Sequence, residues 1–381
     1  MSLSFALTPE QEEFRAVVAD FADQVIAPAA DGFNRDARLP LDILRRMGEM
    51  GLFGIPFPDR YGGMGGDFLT LCLAVEEIGR VDQSLGITLE AAVGLGAESI
   101  HRYGTEEQKQ RWLPPLARGE ALAGFALTEP AGGSDLAHAT ATRAELDGDS
   151  WVLNGRKAFT TNAGTPITSL CTVTARTGQD EISSFVVPVG ADGFSVAPPY
   201  RKVGWHASDT REVVLDDCRV PPDHLLGERG RGLAQSLSVL DDGRIAISAL
   251  AVGLIQGCID ECVRYARERY AYGAPIARRQ GVAFKIADME VAAQTARGMY
   301  WHAAWRKQEG LPYRRHASVA KLYASEQAVE AARQACQVFG GYGFMTEYRV
   351  ARFYQDAKAL EIGEGTSEVQ RHLIARDLGL T

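Results

Sequence analysis

Apolar residues recur at helical spacing from the start of the chain. The pattern includes Phe14, Val17, Val18, Phe21 and Val25, and each of these residues has another of them three or four positions away. Such spacing places side chains on one face of a helix. Thr8, Pro9 and Gln11 precede the stripe and form a start signal, with a hydroxyl cap, a proline in the first turn and a capping-box partner. We therefore predict a helix that begins directly after Thr8.

Helical spacing continues through the first third of the chain. Further helical patterns cover residues 41–50, 68–79 and 105–118. A glycine-rich loop at residues 61–66 interrupts them. We predict a helical domain over residues 1–120.

Short apolar runs bounded by turn residues replace this spacing in the middle of the chain. They cover residues 151–153, 183–189 and 212–215. Phe185, Val187 and Val189 recur with period two, which is typical of a half-buried strand. Several short strands of this kind predict an antiparallel, barrel-like β domain over residues 121–230.

Longer helical patterns return after residue 230. One apolar stripe consists of Val282, Ile286, Met289, Ala293, Ala296, Tyr300 and Ala303. Pro312 separates it from another helical pattern at residues 315–338. Long helices with short connections indicate a four-helix bundle over residues 231–381, within an α+β fold.

The longest uncharged apolar stretch covers residues 245–259. It is shorter than the roughly 18 to 20 residues that cross a bilayer, so we predict a buried helix and no membrane span. The N-terminus lacks the basic flank and apolar run of a secretory signal. We therefore expect a cytoplasmic protein.

Composition and charge exclude several classes of protein. The 381 residues are 46% hydrophobic and 23% charged, as in ordinary globular proteins. Lysine and arginine total 40 against 49 acidic residues, a net charge of -9, which argues against a nucleic-acid partner. The 6 cysteines and 7 histidines show none of the paired spacings of metal or redox sites. We expect reduced thiols and no metal.

Two segments carry candidate chemistry of their own. The run Phe125–Pro130 enters a glycine loop at residues 131–135, which forms either a phosphate cradle of backbone N–H groups or an ordinary turn. Near the C-terminus, Glu364 stands between two glycines just before a final helix. That carboxylate is either open to a ligand or simply exposed on a loop, and Thr366 or Ser367 caps the helix in both cases.

Two further segments are glycine-rich or aromatic. Residues 337–344 place adjacent glycines after a long helix, as at a helix C-terminus. Residues 269–276, with Gln280, fit a turn between helices. The sequence contains neither the Gly-x-Gly-x-x-Gly motif nor a Walker loop.

In this order, the four segments resemble the acyl-CoA dehydrogenase family. The similarity runs from the first helix almost to the C-terminus and includes Lys202–Trp205, Val220-Pro221 and the glycine-containing run 226–232. It implies a helical N-terminal domain, a middle β domain and a C-terminal four-helix bundle. It also implies a homotetramer, a dimer of dimers, in which FAD lies between the β domain, the bundle and a neighbouring subunit.

The resemblance also assigns roles to individual residues. Glu364 matches the catalytic base. The substrate-binding residues are Ser134, Asp241, Arg244 and Gly365. The residues implied for the FAD of the same subunit are Phe125, Leu127, Thr128, Gly133, Ser134, Phe159, Thr160, Thr161, Thr366 and Glu368. Those implied for the FAD of the partner subunit are Arg269, Tyr272, Gln280, Gln337, Gly340 and Gly341.

The implied reaction is FAD-dependent α,β-dehydrogenation of an acyl-CoA to a trans-2-enoyl-CoA, with electrons passed to electron-transfer flavoprotein. Some family members carry the base directly before the arginine that matches Arg244, where this chain has Gly243. Asp241 and Asp242 lie close and stay open as alternative bases. An oxidase on the same scaffold and a catalytically silent acyl-CoA-binding paralogue are the other hypotheses.

Departures from the family pattern bear on the substrate. Gly363 stands where many relatives have tyrosine. The stretches 242–245 and 256–258 resemble short-chain and short branched-chain members. The acyl chain length and the pathway stay open.

Overall fold

The computed structural model describes residues 6–380. Its first part is helical. The helices are α1 (Pro9–Phe21), α2 (Ala27–Arg35), α3 (Leu41–Glu49), α4 (Phe68–Val81), α5 (Gln83–Glu90), α6 (Glu98–Tyr103) and α7 (Glu106–Ala117). Two π turns, Ala22–Ile26 and Ala91–Ala97, follow α1 and α5.

The predicted start of the first helix is confirmed in detail. Thr8 Oγ1 accepts a hydrogen bond from the Gln11 backbone N–H at 3.2 Å, and Gln11 Oε1 accepts from the Thr8 N–H at 3.1 Å. Pro9 occupies the first turn. Val18 and Phe21 from the predicted stripe are buried in the core.

The middle of the chain forms a mixed eight-stranded sheet. The strands are β1 (Leu122–Ala126), β2 (Arg143–Asp147), β3 (Ser150–Thr161), β4 (Thr168–Arg176), β5 (Ile182–Pro188), β6 (Phe194–Val196), β7 (Thr210–Val220) and β8 (Leu225–Leu226). Their order is β6-β7-β3-β2-β4-β5-β8, and β1 pairs with β4 outside this path. A short helix, α8 (Leu136–Ala139), lies between β1 and β2.

Two predictions for the sheet need correction. It is not wholly antiparallel, because β1 and β2 each pair with β4 in parallel; period-two spacing reports a buried face and not the direction of the neighbouring strand. The strand β5 is also not half-buried. Phe185 and Val187 lie in the core of the sheet, while Val186 joins the core of the helices, so both faces are covered.

The last part of the chain is a bundle of long helices. They are α9 (Gly232–Glu268), α10 (Gln280–Gln308), α11 (Arg314–Phe339), α12 (Arg349–Ile362) and α13 (Ser367–Asp377). A two-stranded hairpin, β9 (Tyr270–Ala271) and β10 (Ala274–Pro275), connects α9 to α10. The predicted stripe of α10 is buried at Met289, Ala293, Ala296, Tyr300 and Ala303.

Helix α9 is the central element of the fold and contacts α4, α10, α11 and α12. By length and composition it is apolar enough to cross a membrane, but 83% of its apolar window is buried inside the protein. The prediction of a buried helix here is confirmed. Two glycines allow close contact with α4: a Cβ at Gly253 would lie 2.3 Å from Glu76 O, and one at Gly257 would lie 2.3 Å from Arg80 O.

A buried ion pair ties the segment after β1 to the sheet. Lys157 Nζ lies 2.7 Å from Glu129 Oε1, and both side chains are shielded from solvent. Glu129 also accepts hydrogen bonds from the backbone N–H groups of Ala141 and Thr142 at 2.7 and 3.1 Å. Burial lowers the pKa of Lys157 to about 8 although Glu129 opposes the shift.

We expect Lys157→Ala to lower the free energy of unfolding by roughly 3–5 kcal/mol, because it leaves the Glu129 carboxylate buried and unpaired. Arg333→Ala is the control, since Arg333 and Glu330 form an exposed ion pair and its loss should cost less than about 1 kcal/mol. Chemical unfolding of both variants measures the difference. Similar, small losses in the two would contradict a structural role for the buried pair.

Candidate functional site

A cavity of about 1590 Å³ opens where the sheet, α9 and the last two helices meet. Residues of α5, the segment after β1, α11 and the α12–α13 connection complete its wall. Its volume exceeds the roughly 300–1,000 Å³ usual for one small ligand. The space is therefore large enough for more than one small ligand.

Most of the residues that the sequence assigns to the site line this cavity. They are Phe125, Leu127, Thr128, Gly133, Ser134, Phe159, Thr161, Asp241, Arg244, Glu364, Gly365, Thr366 and Glu368. Thr160 does not line it and is buried. Successive side chains of a strand point to opposite faces, so Thr160 turns away from its two neighbours.

Glu364 occupies the connection between α12 and α13 in a left-handed backbone conformation, with a φ of 55°. Side-chain donors hold this connection. Lys321 Nζ donates to Gly365 O at 2.7 Å, and Gln370 Nε2 donates to the same oxygen at 2.9 Å. Thr366 caps α13 through the Val369 N–H, as predicted. A left-handed glutamate is costly, and these contacts fix it in place.

The Glu364 carboxyl is removed from water. Both oxygens are buried and accept no hydrogen bond from a donor in the described residues. Burial raises the pKa of Glu364 to about 7, while the neighbouring Glu90 carboxyl and the charges of Lys321 and Arg244 oppose the shift. A carboxyl with a raised pKa beside a large cavity has the properties of a general base.

The two aspartates considered as alternative bases are engaged in ion pairs. Asp241 pairs with Arg244 and, at 2.7 Å, with Arg314. Asp242 accepts from Tyr313 Oη at 2.6 Å and lies 3.0 Å from Arg102 Nη1. Arg244 forms an ion pair with Asp241 and also lines the cavity.

Two aromatic residues on the cavity wall have left-handed backbones. Phe159 has a φ of 58° and stays 64% exposed. Trp205 has a φ of 52°, and its backbone N–H donates to the buried Asp356 carboxylate. Strained positions of this kind concentrate at ligand sites. The exposed Phe159 ring offers a face against which a flat ligand stacks.

Six of the residues assigned by sequence lie outside the cavity and are exposed. They are Arg269, Tyr272, Gln280, Gln337, Gly340 and Gly341. The Arg269 guanidinium lies 5.7 Å from the centre of the Tyr342 ring, which joins the α9–α10 connection to the end of α11. Tyr272 is 95% exposed. We call these six residues the exposed cluster.

Sequence reasoning missed Glu90, Lys321 and Gln370 as parts of the site. Glu90 had a signal, because it is the lone acid in the apolar run 85–97. Lys321 and Gln370 sit inside helical patterns with no feature that distinguishes them from other polar positions. Trp205 belongs to the run Lys202–Trp205, which resembles the acyl-CoA dehydrogenase family. The resemblance assigned it no role in the site.

Comparison with known proteins identifies the family. The description "Acyl-CoA dehydrogenase, N-terminal domain" matches residues 8–120, the corresponding middle domain matches residues 124–218, and the C-terminal domain matches residues 230–379. The chain belongs to the acyl-CoA dehydrogenase family. The predicted family and fold class are thereby confirmed, and the protein is an oxidoreductase of a flavin-dependent family.

Similar acyl-CoA dehydrogenases cover almost the whole chain. "Probable acyl-CoA dehydrogenase YngJ" of Bacillus subtilis (strain 168) is 47% identical over 99% of this chain and 100% of its own length. The structure of butyryl-CoA dehydrogenase from Megasphaera elsdenii is 37% identical, with a TM-score of 0.95 over 99% of this chain and 100% of that one.

A third similar chain comes from a structure described as "Electron transferring flavoprotein of Acidaminococcus fermentans: Towards a mechanism of flavin-based electron bifurcation". It is 40% identical, with a TM-score of 0.96 over 99% of both chains. The likeness to these three proteins therefore extends over all three domains.

Gly243 on α9 makes room for the Glu364 carboxyl in this acyl-CoA dehydrogenase. A Cβ at Gly243 would lie 2.2 Å from Glu364 Oε2. We expect Gly243→Ala to displace the carboxyl and to lower kcat on the order of 10²-fold, since misplacing a reacting group by about 1 Å has an effect of this size. Steady-state kinetics with an acyl-CoA measures the loss.

Gly32→Ala is the matched control, because Gly32 is also helical and a Cβ there meets nothing within 4 Å. Alanine favours helix over glycine at both positions, so neither variant should unfold. An unchanged kcat in Gly243→Ala would contradict the importance of this contact.

Proposed function

We propose that the protein is an FAD-dependent acyl-CoA dehydrogenase that oxidises an acyl-CoA thioester to a trans-2-enoyl-CoA, with Glu364 as the base. The observation that carries the proposal is the buried Glu364 carboxyl on the wall of a cavity large enough for two ligands. A proton α to a thioester is only weakly acidic, so its removal needs a positioned base in a dry site.

The residues around Glu364 prepare it for this task. Burial disfavours its charged form and makes its carboxylate a stronger base than in water. Lys321 and Arg244 supply enough positive charge to keep it ionisable. In the described part of the chain the backbone N–H of Glu364 bonds no acceptor, so it is free to donate to the thioester oxygen, where negative charge develops.

The cavity residues fit a flavin beside the substrate. Phe159, with its exposed ring, and Trp205 line the cavity. Thr128 and Thr161 add hydroxyl groups to its wall. Gly133 and Ser134 belong to a loop whose backbone can approach phosphate oxygens closely. When bound, FAD supplies the hydride-accepting chemistry.

The substrate is an acyl-CoA with a short chain. Support comes from the 37% identity with butyryl-CoA dehydrogenase from Megasphaera elsdenii and from the short-chain character of the stretches 242–245 and 256–258. We place the reaction in fatty-acid β-oxidation. Anaerobic bleaching of the flavin by a panel of acyl-CoA thioesters tests the chain length directly.

Electron-transfer flavoprotein is the proposed acceptor of the electrons. The family resemblance implies it, and a chain 40% identical to this one occurs in a structure described as an electron transferring flavoprotein. An oxidase would instead release peroxide in air. Rapid stoichiometric peroxide release without reduction of electron-transfer flavoprotein would therefore overturn this assignment.

We further propose a homotetramer, a dimer of dimers, in which the exposed cluster reaches the FAD of the partner subunit. Tyr272 and Phe344 are 95% and 85% exposed, an arrangement that favours burial against another subunit.

The protein acts in the cytoplasm, and its charge of -9 fits small-molecule and protein partners and not nucleic acid.

We expect Glu364→Gln to keep its flavin and to lose turnover by roughly 10² to 10⁴, the contribution of a positioned general base. Activity with butyryl-CoA and the flavin absorbance at equal protein concentration measure both effects. Glu330→Gln is the control, because Glu330 forms an exposed ion pair with Arg333 and does not line the cavity. Turnover near the wild-type rate in Glu364→Gln would show that the base lies elsewhere.

We expect Arg269→Ala to weaken FAD retention in the assembled protein, because it removes a cation from the exposed cluster. The flavin content after gel filtration, together with the oligomeric state, measures this effect. Arg267→Ala removes another exposed arginine two residues earlier and serves as the control. Equal flavin content in the two intact assemblies would contradict the role of Arg269.

A further inference from the structure

Glu90 is a second buried carboxyl on the wall of the cavity. It is the last residue of α5, and its side chain is 0% exposed. Its two oxygens, like those of Glu364, meet no donor in the described residues. Both carboxyls line the same cavity, and Gly243, which adjoins Glu364 Oε2, also adjoins Leu95 in the turn that follows Glu90. Each carboxyl shifts the pKa of the other.

Two glycines from different elements make room for this pair. A Cβ at Gly94, in the π turn after α5, would come within 3.1 Å of Glu90 Oε1. A Cβ at Gly243 would lie 2.2 Å from Glu364 Oε2. A side chain at either position would press on one carboxyl, so the backbone on both sides is shaped to the pair.

The charged groups around the pair act mainly on Glu364. Arg244 from α9 and Lys321 from α11 attract it, and Arg244 is itself paired with Asp241. In the described residues Glu90 has no cationic partner, and burial followed by the charge of Glu364 raises its pKa. Cys72 on α4 is another titratable group near Glu90, and burial raises the pKa of its thiol.

Two ionised carboxylates offer only acceptors, so they repel each other and form no hydrogen bond. One proton between them turns the repulsion into a short charge-assisted hydrogen bond. We propose that Glu90 is a positioning residue that shares one proton with Glu364, so that its protonated carboxyl donates to the ionised base and holds it at the cavity wall. This proposal rests on the proposed role of Glu364.

The proton balance of the pair follows directly. Before the reaction it holds one proton and one negative charge. When Glu364 accepts the α proton of the substrate, the pair holds two protons and no charge. One proton returns to solvent after the product leaves, which restores the starting state.

Two substitutions separate the shared proton from a purely structural role. Glu90→Gln keeps the shape and an N–H donor, whereas Glu90→Met keeps a similar length without a donor. The pH dependence of kcat/KM, with butyryl-CoA and a dye acceptor, is measured for both variants. We expect Glu90→Met to shift the acidic limb of the kcat/KM pH profile upward by about one pH unit. At pH values below that limb, kcat/KM should therefore be about tenfold lower than in the wild type. Glu90→Gln should stay close to wild type.

Other outcomes overturn the proposal. If both variants move the acid limb downward by a similar amount, Glu90 is ionised and acts on Glu364 by charge alone. If neither variant moves it, the carboxyls are not coupled. Glu364→Gln, assayed in parallel, tests the base separately, because wild-type turnover in that variant contradicts the proposed function whatever the Glu90 variants show.

An infrared measurement covers the case in which Glu90→Met fails to fold. The ligand-free wild type at neutral pH should show the C=O stretching band of a protonated carboxyl. This band should be absent from the Glu90→Gln variant, so it should appear in the difference spectrum of the two proteins. The absence of such a difference between two folded, flavin-loaded proteins would overturn the shared proton.

Discussion

The removal of one carboxyl from water is the constraint around which the site is built. A buried carboxylate is unstable unless charge or hydrogen bonds compensate it. At Glu364 the compensation is partial: Arg244 and Lys321 attract the charge, but neither donates to the carboxyl oxygens. The group is thus held between its charged and neutral forms, which is the condition a base needs if it is to accept a proton and release it again.

Backbone geometry supports this electrostatic balance. Lys321 uses its ammonium group to bond Gly365 O, so it fixes the connection while acting on the carboxyl only through space. Helix α9 supplies Arg244 together with the bare backbone of Gly243 that leaves room for the base. Because α9 packs directly on α4 through Gly253 and Gly257, the helical N-terminal part indirectly sets the position of Gly243 and Arg244 at the cavity.

The sequence predicted the periodic elements well and the site only through resemblance. Thr8, Pro9 and Gln11 define the first helix because capping is a local interaction. The parallel pairing of β1 with β4 was missed because strand direction depends on distant chain segments. No local pattern could bring Glu90 to Glu364, since the 273 residues between them fold into a sheet and three long helices before the two carboxyls meet. The resemblance assigned Glu364 as the base, and the structure places it on the cavity wall beside Glu90, which the resemblance did not reveal.

The polarity of the cavity also sets the direction in which a ligand enters. Exposed cationic side chains, among them Arg315 and Arg376, line its outer part, whereas the inner part is closed by Ile87, Leu95 and the fully buried Glu90. Arg315 pairs with Asp377 on the same wall, and the exposed Asp135 and Glu368 also line it. The cost of removing charge from water, and not an excess of positive charge, therefore sets the orientation of an anionic ligand group. The anionic end of a CoA thioester would then stay near solvent while its acyl end reaches the carboxyl pair. Entry in the reverse direction would remove phosphate charge from water next to two buried carboxyls, so the cost of burying charge disfavours it.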